Sequence, residues 1–244
     1  DFLNARFLVF PHHFNLEMYK LILFQDSIGR SFLISIVVTI TSTLYSMLLL
    51  SFGAYALIKE NLPGKKIFFT LLLITMFFGG GLLPTVLTLR SLHLTDSYLG
   101  LILPFGISAF NIILLRNFFA QVPRSVMESC RIDGANDFRC LFQFLLPLSK
   151  AGLATISVFT IVGKWNDWYW PMVLLSDERM YPLAYQVKMA LSATGDNLEA
   201  GIIDMTKVFA EGRNGAIIVI SLLPIAIVFI ALQKYFVQGV MLGA

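Results

Sequence analysis

Glu128 is flanked by Arg124 four residues before it and Arg131 three residues after it, in the run Val122-Pro-Arg-Ser-Val-Met-Glu-Ser-Cys-Arg-Ile-Asp-Gly-Ala-Asn-Asp-Phe138. On a helix, residues three and four apart share a face, so these charges form local pairs worth about 0.2–0.5 kcal/mol each. That chemistry grips polar groups outside lipid. A second group of interest is Lys164-Trp165-Asn166-Asp167-Trp168. Lys164 and Asp167 stand at i,i+3 and can neutralise each other, while indole faces suit the flat apolar faces of sugar rings. Charges at membrane depth normally face a bundle interior or a watery cavity, which makes this stretch a candidate substrate pathway. An interfacial aromatic belt with a snorkelling lysine fits the same residues, and spacing leaves both readings open.

The elements that position these residues are set by composition. The chain is 57% hydrophobic and 14% charged, with a mean hydropathy of +0.77, beyond what a soluble domain carries. Stretches free of Asp, Glu, Lys and Arg run from Ser31 to Ile58, Ile67 to Leu89, Ser97 to Leu115 and Asn214 to Gln233. Each is near or above the roughly 20 helical residues that cross a bilayer core. A fifth span is expected from Ala151 to about Leu175, interrupted by Lys164 and Asp167. Their lengths suit helices rather than the shorter strands of a barrel, so the expected fold is an all-α integral membrane bundle. It forms one domain, residues 31–244, with no sequence repeat.

The first thirty residues carry no span, and the chain starts at Asp1, so a sixth, upstream span is expected. Residues 1–30 are read as an extracytoplasmic segment and the acidic stretch 176–213 as an outer loop on the same face. Basic residues divide evenly between the faces, so orientation rests on placing residues 121–150 in the cytoplasm. There Cys130 and Cys140 are expected as reduced packing residues. His12 and His13 do not make a metal site with only His93 elsewhere. The small net charge of +3 gives no footprint for nucleic acid.

Within residues 121–150, Pro123 precedes a short helix carrying Val126, Met127 and Cys130, and Phe138, Leu141, Phe142 and Leu145 recur at helical spacing. Asp133-Gly134 between them signals a turn. The result is a helical hairpin with one apolar and one charged side. From spacing alone, an amphipathic element lying on the headgroups fits as well.

Glu128-Ser129-Cys130, Gly134, Phe144 and Leu146-Pro147 resemble the EAA signature of binding-protein-dependent ABC importer permeases. In that signature, Glu-Ala-Ala is followed after three residues by Gly and later by an apolar residue, a spacer and Leu-Pro. Ser129 and Cys130 replace the two alanines, and Phe144 the usual isoleucine. Phe78-Gly-Gly-Gly-Leu-Leu-Pro-Thr85, Trp165-Asn-Asp-Trp168, Tyr181-Pro-Leu183 and Phe236-Val-Gln-Gly-Val-Met241 are similar to the lipooligosaccharide and polysaccharide branch of the maltose-type permeases.

That resemblance implies six spans and a translocation subunit that is not itself an enzyme. Its coupling hairpin, with Glu128, Ser129, Cys130, Arg131, Asp133, Gly134, Ala135, Phe138, Phe142, Leu146 and Pro147, seats in a partner ATPase: Gly134 forms the turn, Glu128 and Arg131 make polar contacts at the groove, and Phe138 and Phe142 anchor the hairpin against the membrane helices or the ATPase. It also implies a second, different permease, two ATP-binding subunits, an extracytoplasmic solute-binding protein, a sugar substrate and a place in the bacterial inner membrane. The chain carries no G-x-x-x-x-G-K-[ST]; Gly64-Lys65-Lys66 lacks the spacing and the hydroxyl, so ATP and its Mg fall to the partner. A secondary transporter or channel is the alternative, but it needs ion-coupling carboxylates in the spans and only Asp167 qualifies. No Ser/His, HExxH or paired-carboxylate constellation supports a membrane enzyme.

Overall fold

The computed structural model describes residues 27–59, 61–198, 215–231 and 233. Its regular elements are helical: α1 (Ser27–Ile58), α2 (Lys65–Phe77), α3 (Leu82–Ser91), α4 (Tyr98–Ile102), α5 (Ala109–Ala120) and α6 (Arg124–Ile132). They continue with α7 (Asp137–Leu148), α8 (Lys150–Trp165), α9 (Tyr169–Leu174), a 3-10 turn (Glu178–Met180), α10 (Leu183–Leu198) and α11 (Gly215–Ala231). The all-α expectation holds among the described residues.

α1 organises the bundle. Its 32 residues span about 48 Å at 1.5 Å per residue, more than the roughly 30 Å of a hydrocarbon core. It packs against α4, α5, α8 and α10. Its amphipathicity is inverted relative to a water-soluble helix: Ser31, Ser35, Thr39, Ser42 and Ser46 are buried, while Leu33, Val37, Ile40, Leu44 and Leu48 are exposed. Lipid is as apolar as leucine, so the large side chains turn outward and small residues let neighbouring helices approach.

Two expected spans are broken. The stretch from Ile67 to Leu89 divides into α2 and α3, which meet at 113° across Phe78–Gly81. Gly81 has φ 82 and ψ 164, a conformation reserved for glycine, and it opens α3. The stretch from Ser97 to Leu115 divides into α4 and α5, because Pro104 has no N–H to continue α4 and Ser108 caps a new helix by accepting from Asn111 N. The expected fifth span also stops short, since α8 ends at Trp165 and α9 begins at Tyr169. Among the described residues, α1 is the one unbroken helix long and apolar enough to cross a membrane; α2 with α3, and α7 with α8, are bent pairs.

The segment read as an outer loop from Ser176 contains α10 in its first part. Leu183 N donates to the buried Ser35 Oγ at 2.7 Å, which fixes the start of α10 on α1. Residues 1–26, with His12 and His13, residues 199–214 and the tail at Phe236–Met241 lie outside the described residues. The core lies in three places. Leu50, Ala54, Leu57, Leu115, Phe119, Leu141, Leu145 and Ile156 fill the hairpin end; Val38, Leu89, Leu101 and Leu174 fill the opposite end; Ile28, Trp165, Leu183 and Ile217 join α1, α8, α10 and α11.

Candidate functional site

The hairpin is closed by its own backbone. After α6, Gly134 N donates to Arg131 O at 3.0 Å and Ala135 N to Cys130 O at 3.1 Å, the paired bonds of a Schellman turn. That turn requires a left-handed residue, and Gly134 has φ 75. Asn136 then caps α7, its Oδ1 accepting from Arg139 N at 2.9 Å. Asp137 follows in the first turn, where the helix dipole favours a carboxylate.

The same Asp137 ties the hairpin to α1. Tyr55 Oη donates to its Oδ1 at 2.9 Å, and the Lys59 ammonium pairs with its Oδ2. These hydrogen bonds, Lys59's first and then Tyr55's, hold the Asp137 carboxyl below the usual carboxylate range, and the Arg131 guanidinium adds to the effect. Arg131 therefore acts back on the carboxylate that faces α1. Phe52 of α1 meets both Phe138 and Phe142 edge-on, with centroids 6.0 Å apart in each case, so the two phenylalanines pack on the membrane helix. Leu141 and Leu145 sink into the core below them, with Leu146 half-buried alongside. Pro147 lies in the last turn of α7, just before the 86° bend into α8.

The other side of the hairpin is open: Glu128, Ser129, Asp133 and Gly134 are exposed, Ala135 is half-buried, and Ile132 stands at the tip with 85% of its surface in contact with solvent.

Cys130 and Cys140 are packing residues, as expected, but not a reduced pair. They are joined in a disulfide and both are buried. The Schellman turn folds the third-last residue of α6 over the first turns of α7, leaving the two Cα atoms 6.2 Å apart, within bridging distance.

At the far end of α8, the residues of the second group separate. Lys164 Nζ donates to Leu101 O at 2.9 Å, lies 3.9 Å from Asp167 Oδ2 and stands 4.7 Å from the Phe105 ring centroid. Asp167 Oδ1 accepts from Trp170 N at 3.2 Å, holding the start of α9. Trp165 is buried among Ile28, Leu183 and Ile217, edge-on to Phe32, and its Nε1 donates to Ser221 O at 2.9 Å. It is a packing residue that joins α8 to α11. Asn166 is exposed and bonds back to Val162 O, and Trp168 is partly exposed with the Lys188 ammonium 5.4 Å from its ring. Lys164 and Asp167 thus face inward, while Asn166 and Trp168 face out.

Residues 7–242 match the family model described as the binding-protein-dependent transport system inner membrane component. This chain belongs to that family. The permease is 37% identical over 248 residues to the polygalacturonan/rhamnogalacturonan transport system permease protein YtcP of Bacillus subtilis (strain 168), an alignment covering 100% of this chain and 86% of the relative. It is 30% identical to the arabinooligosaccharides transport system permease protein AraQ of the same organism, covering 86% and 70%. Its fold matches a chain in the crystal structure of a bacterial ABC transporter involved in the import of the acidic polysaccharide alginate, with a TM-score of 0.84 and 32% identity over 95% of this chain and 83% of the other. The permease is accordingly a translocation subunit of the inner membrane and not an enzyme.

Sequence reasoning missed three residues that structure brings to the hairpin. Lys59 and Tyr55 lie 78 and 82 positions before Asp137, a separation that no local pattern reports. Ile132 was legible in principle, since it falls off the helical face that carries Val126, Met127 and Cys130.

Proposed function

We propose that this permease carries an oligosaccharide or a polysaccharide-derived sugar inward by alternating access. A second, homologous permease completes the pathway, and a solute-binding protein delivers the sugar from the extracytoplasmic face. Two ATP-binding subunits complete the transporter, and the hairpin at residues 121–150 docks on one of them. ATP and Mg are bound by those partners, since this chain has no phosphate-cradling loop. The sugar class follows from the polygalacturonan, arabinooligosaccharide and alginate systems to which the chain is similar.

The observation that carries the coupling assignment is the two-sidedness of the hairpin. One side is fixed to α1 through Asp137, Phe138, Phe142 and Leu145, and the other offers Glu128, Ser129 and Ile132 to a partner. An element attached rigidly to the longest helix and free on its outer face converts closure of an ATPase into rigid-body motion of the bundle. Lys164 and Asp167 stand on the route that this motion opens.

The test is purification of the intact protein from its native membrane, with the Gly134→Asp variant in parallel. A second permease and a P-loop ATPase accompany the unaltered chain, and the variant, still inserted, loses the ATPase and all uptake. Recovery of the chain alone, active without ATP, overturns the reading in favour of a secondary transporter.

A further inference from the structure

The hydroxyls that α1 buries are not all satisfied. In a membrane helix a serine or threonine usually donates to the carbonyl four residues back, as Thr43, Ser51, Thr155 and Thr160 do here. Thr39 Oγ1, Ser42 Oγ and Ser46 Oγ do not; each is buried without a partner. A buried hydroxyl without a partner is disfavoured unless something else uses it.

Ser46, 1% exposed, borders a cavity of about 140 Å³ between α1, α5 and α8. Its lining includes the polar residues Ser46, Ser108, Asn111, Thr160 and Lys164 and the aromatic residues Phe105 and Phe159. Lys164 closes it. Thr39 borders a much smaller void on the other side of Lys164, next to Asp167. The lysine side chain is 10% exposed. Of its three N–H donors, Leu101 O takes one; Asp167 lies at 3.9 Å, beyond hydrogen-bond distance, and its Oδ1 is engaged by Trp170 N. A buried ammonium with donors to spare, sharing one cavity with the unpaired Ser46 hydroxyl and a smaller void with Thr39, has capacity for an acceptor beyond Asp167.

Resting on the sugar-importer reading above, we infer that this cavity is a subsite for a saccharide that bears a carboxylate: the carboxylate sits on Lys164 and the ring hydroxyls of the same sugar unit on Ser46, Asn111 and Thr160. The volume is that of about four or five water molecules, so the subsite reads one sugar unit at a time. Phe105 lines the same cavity, its ring centroid 4.7 Å from the Lys164 ammonium.

The experiment uses the complete transporter in proteoliposomes, with its partner permease, ATPases and binding protein. Trigalacturonate and trimannuronate are the probes, and galactotriose and mannotriose their neutral counterparts. The unaltered complex imports a uronate, Lys164→Gln lowers that uptake about tenfold or more, and Lys164→Arg retains most of it. Ser46→Ala removes a hydroxyl with no structural partner, so it leaves folding intact and raises the KM for the uronate a few-fold. Import of a neutral trisaccharide but no uronate overturns the inference. So does uronate uptake that neither Lys164→Gln nor Ser46→Ala changes. Import of none of the four, with no stimulation of the ATPase, removes the sugar-importer reading itself, and the subsite with it.

Discussion

The two ends of the bundle use charge in opposite ways. At the hairpin, Lys59 and Asp137 pair with side chains 28% and 55% exposed, Tyr55 donates to Asp137, and Asn136 receives Arg139 N. At the far end of α8, Lys164 and Asp167 are 10% and 18% exposed, do not reach hydrogen-bond distance and lie beside unpaired hydroxyls. The difference teaches where each end is rigid. Hydrogen bonds from Tyr55 and Lys59 to Asp137 fix the hairpin to α1, as an element that transmits motion requires. Unsaturated hydrogen bonding in the interior leaves capacity for a ligand that comes and goes.

The strongest way to break this contrast is Asp167→Leu. If the Lys164–Asp167 contact is the ammonium's main compensation, the variant leaves an uncompensated buried charge and destabilises by about 3–5 kcal/mol. Adding Lys164→Leu recovers most of that loss. Thermal unfolding of the purified complex compares the single and double variants, and a single variant as stable as the parent shows the lysine to be solvated.

The next effect lies at the hairpin. Lys59→Ala or Asp137→Ala costs about 1 kcal/mol or less in unfolding, because the pair is substantially exposed. Transport per ATP falls by more than that stability loss implies, and the exchange of Lys59→Asp with Asp137→Lys restores part of it. Equal transport per ATP in all variants removes Asp137 from the coupling path. The pH dependence has a definite sign. The Asp137 carboxyl is held below its ordinary value, so its contribution is complete above the usual carboxylate range and is lost as pH falls through its lowered value. Asp137→Asn abolishes that acid-side loss in the unfolding profile.

The smallest effect is expected of Ser42→Ala. Ser42 Oγ is fully buried and unpaired, so its removal changes stability by less than about 0.5 kcal/mol or raises it slightly. A loss of 1 kcal/mol or more, read in the same unfolding assay, reveals a partner for that hydroxyl and weakens the contrast.

Legibility divided along lines of sequence distance. The hairpin was readable because its signals are local: Pro123 before α6, Asp133-Gly134 at the turn, and the Phe138, Leu141, Phe142, Leu145 spacing on α7. Gly79 to Gly81 lie at the break between α2 and α3, and Gly81 supplies the positive-φ residue that opens α3. Pro104 and Gly106 carried the same message within Ser97–Leu115, but hydropathy, which averages over a window, read through them. The Ser31, Ser35, Thr39, Ser42, Ser46 spacing was also present, yet one cannot tell from spacing which face of a membrane helix is buried when both lipid and protein are apolar. Trp165 and Trp168 look alike in sequence; only packing sends one into the core against Phe32 and leaves the other partly exposed.

By itself the sequence determined that this is a helical membrane protein, that a glycine-turned hairpin interrupts its spans and that residues 1–244 carry no P-loop motif. Each of these depends on residues within about one helix length of each other, where hydropathy and backbone conformation decide. The tertiary structure alone decided that Asp137 reaches Lys59 and Tyr55, that Cys130 reaches Cys140 and that Lys164 faces Ser46 across a cavity. Those partners are brought together by how α1 packs against α5, α7 and α8, and packing in a bundle depends on the shapes of several helices at once.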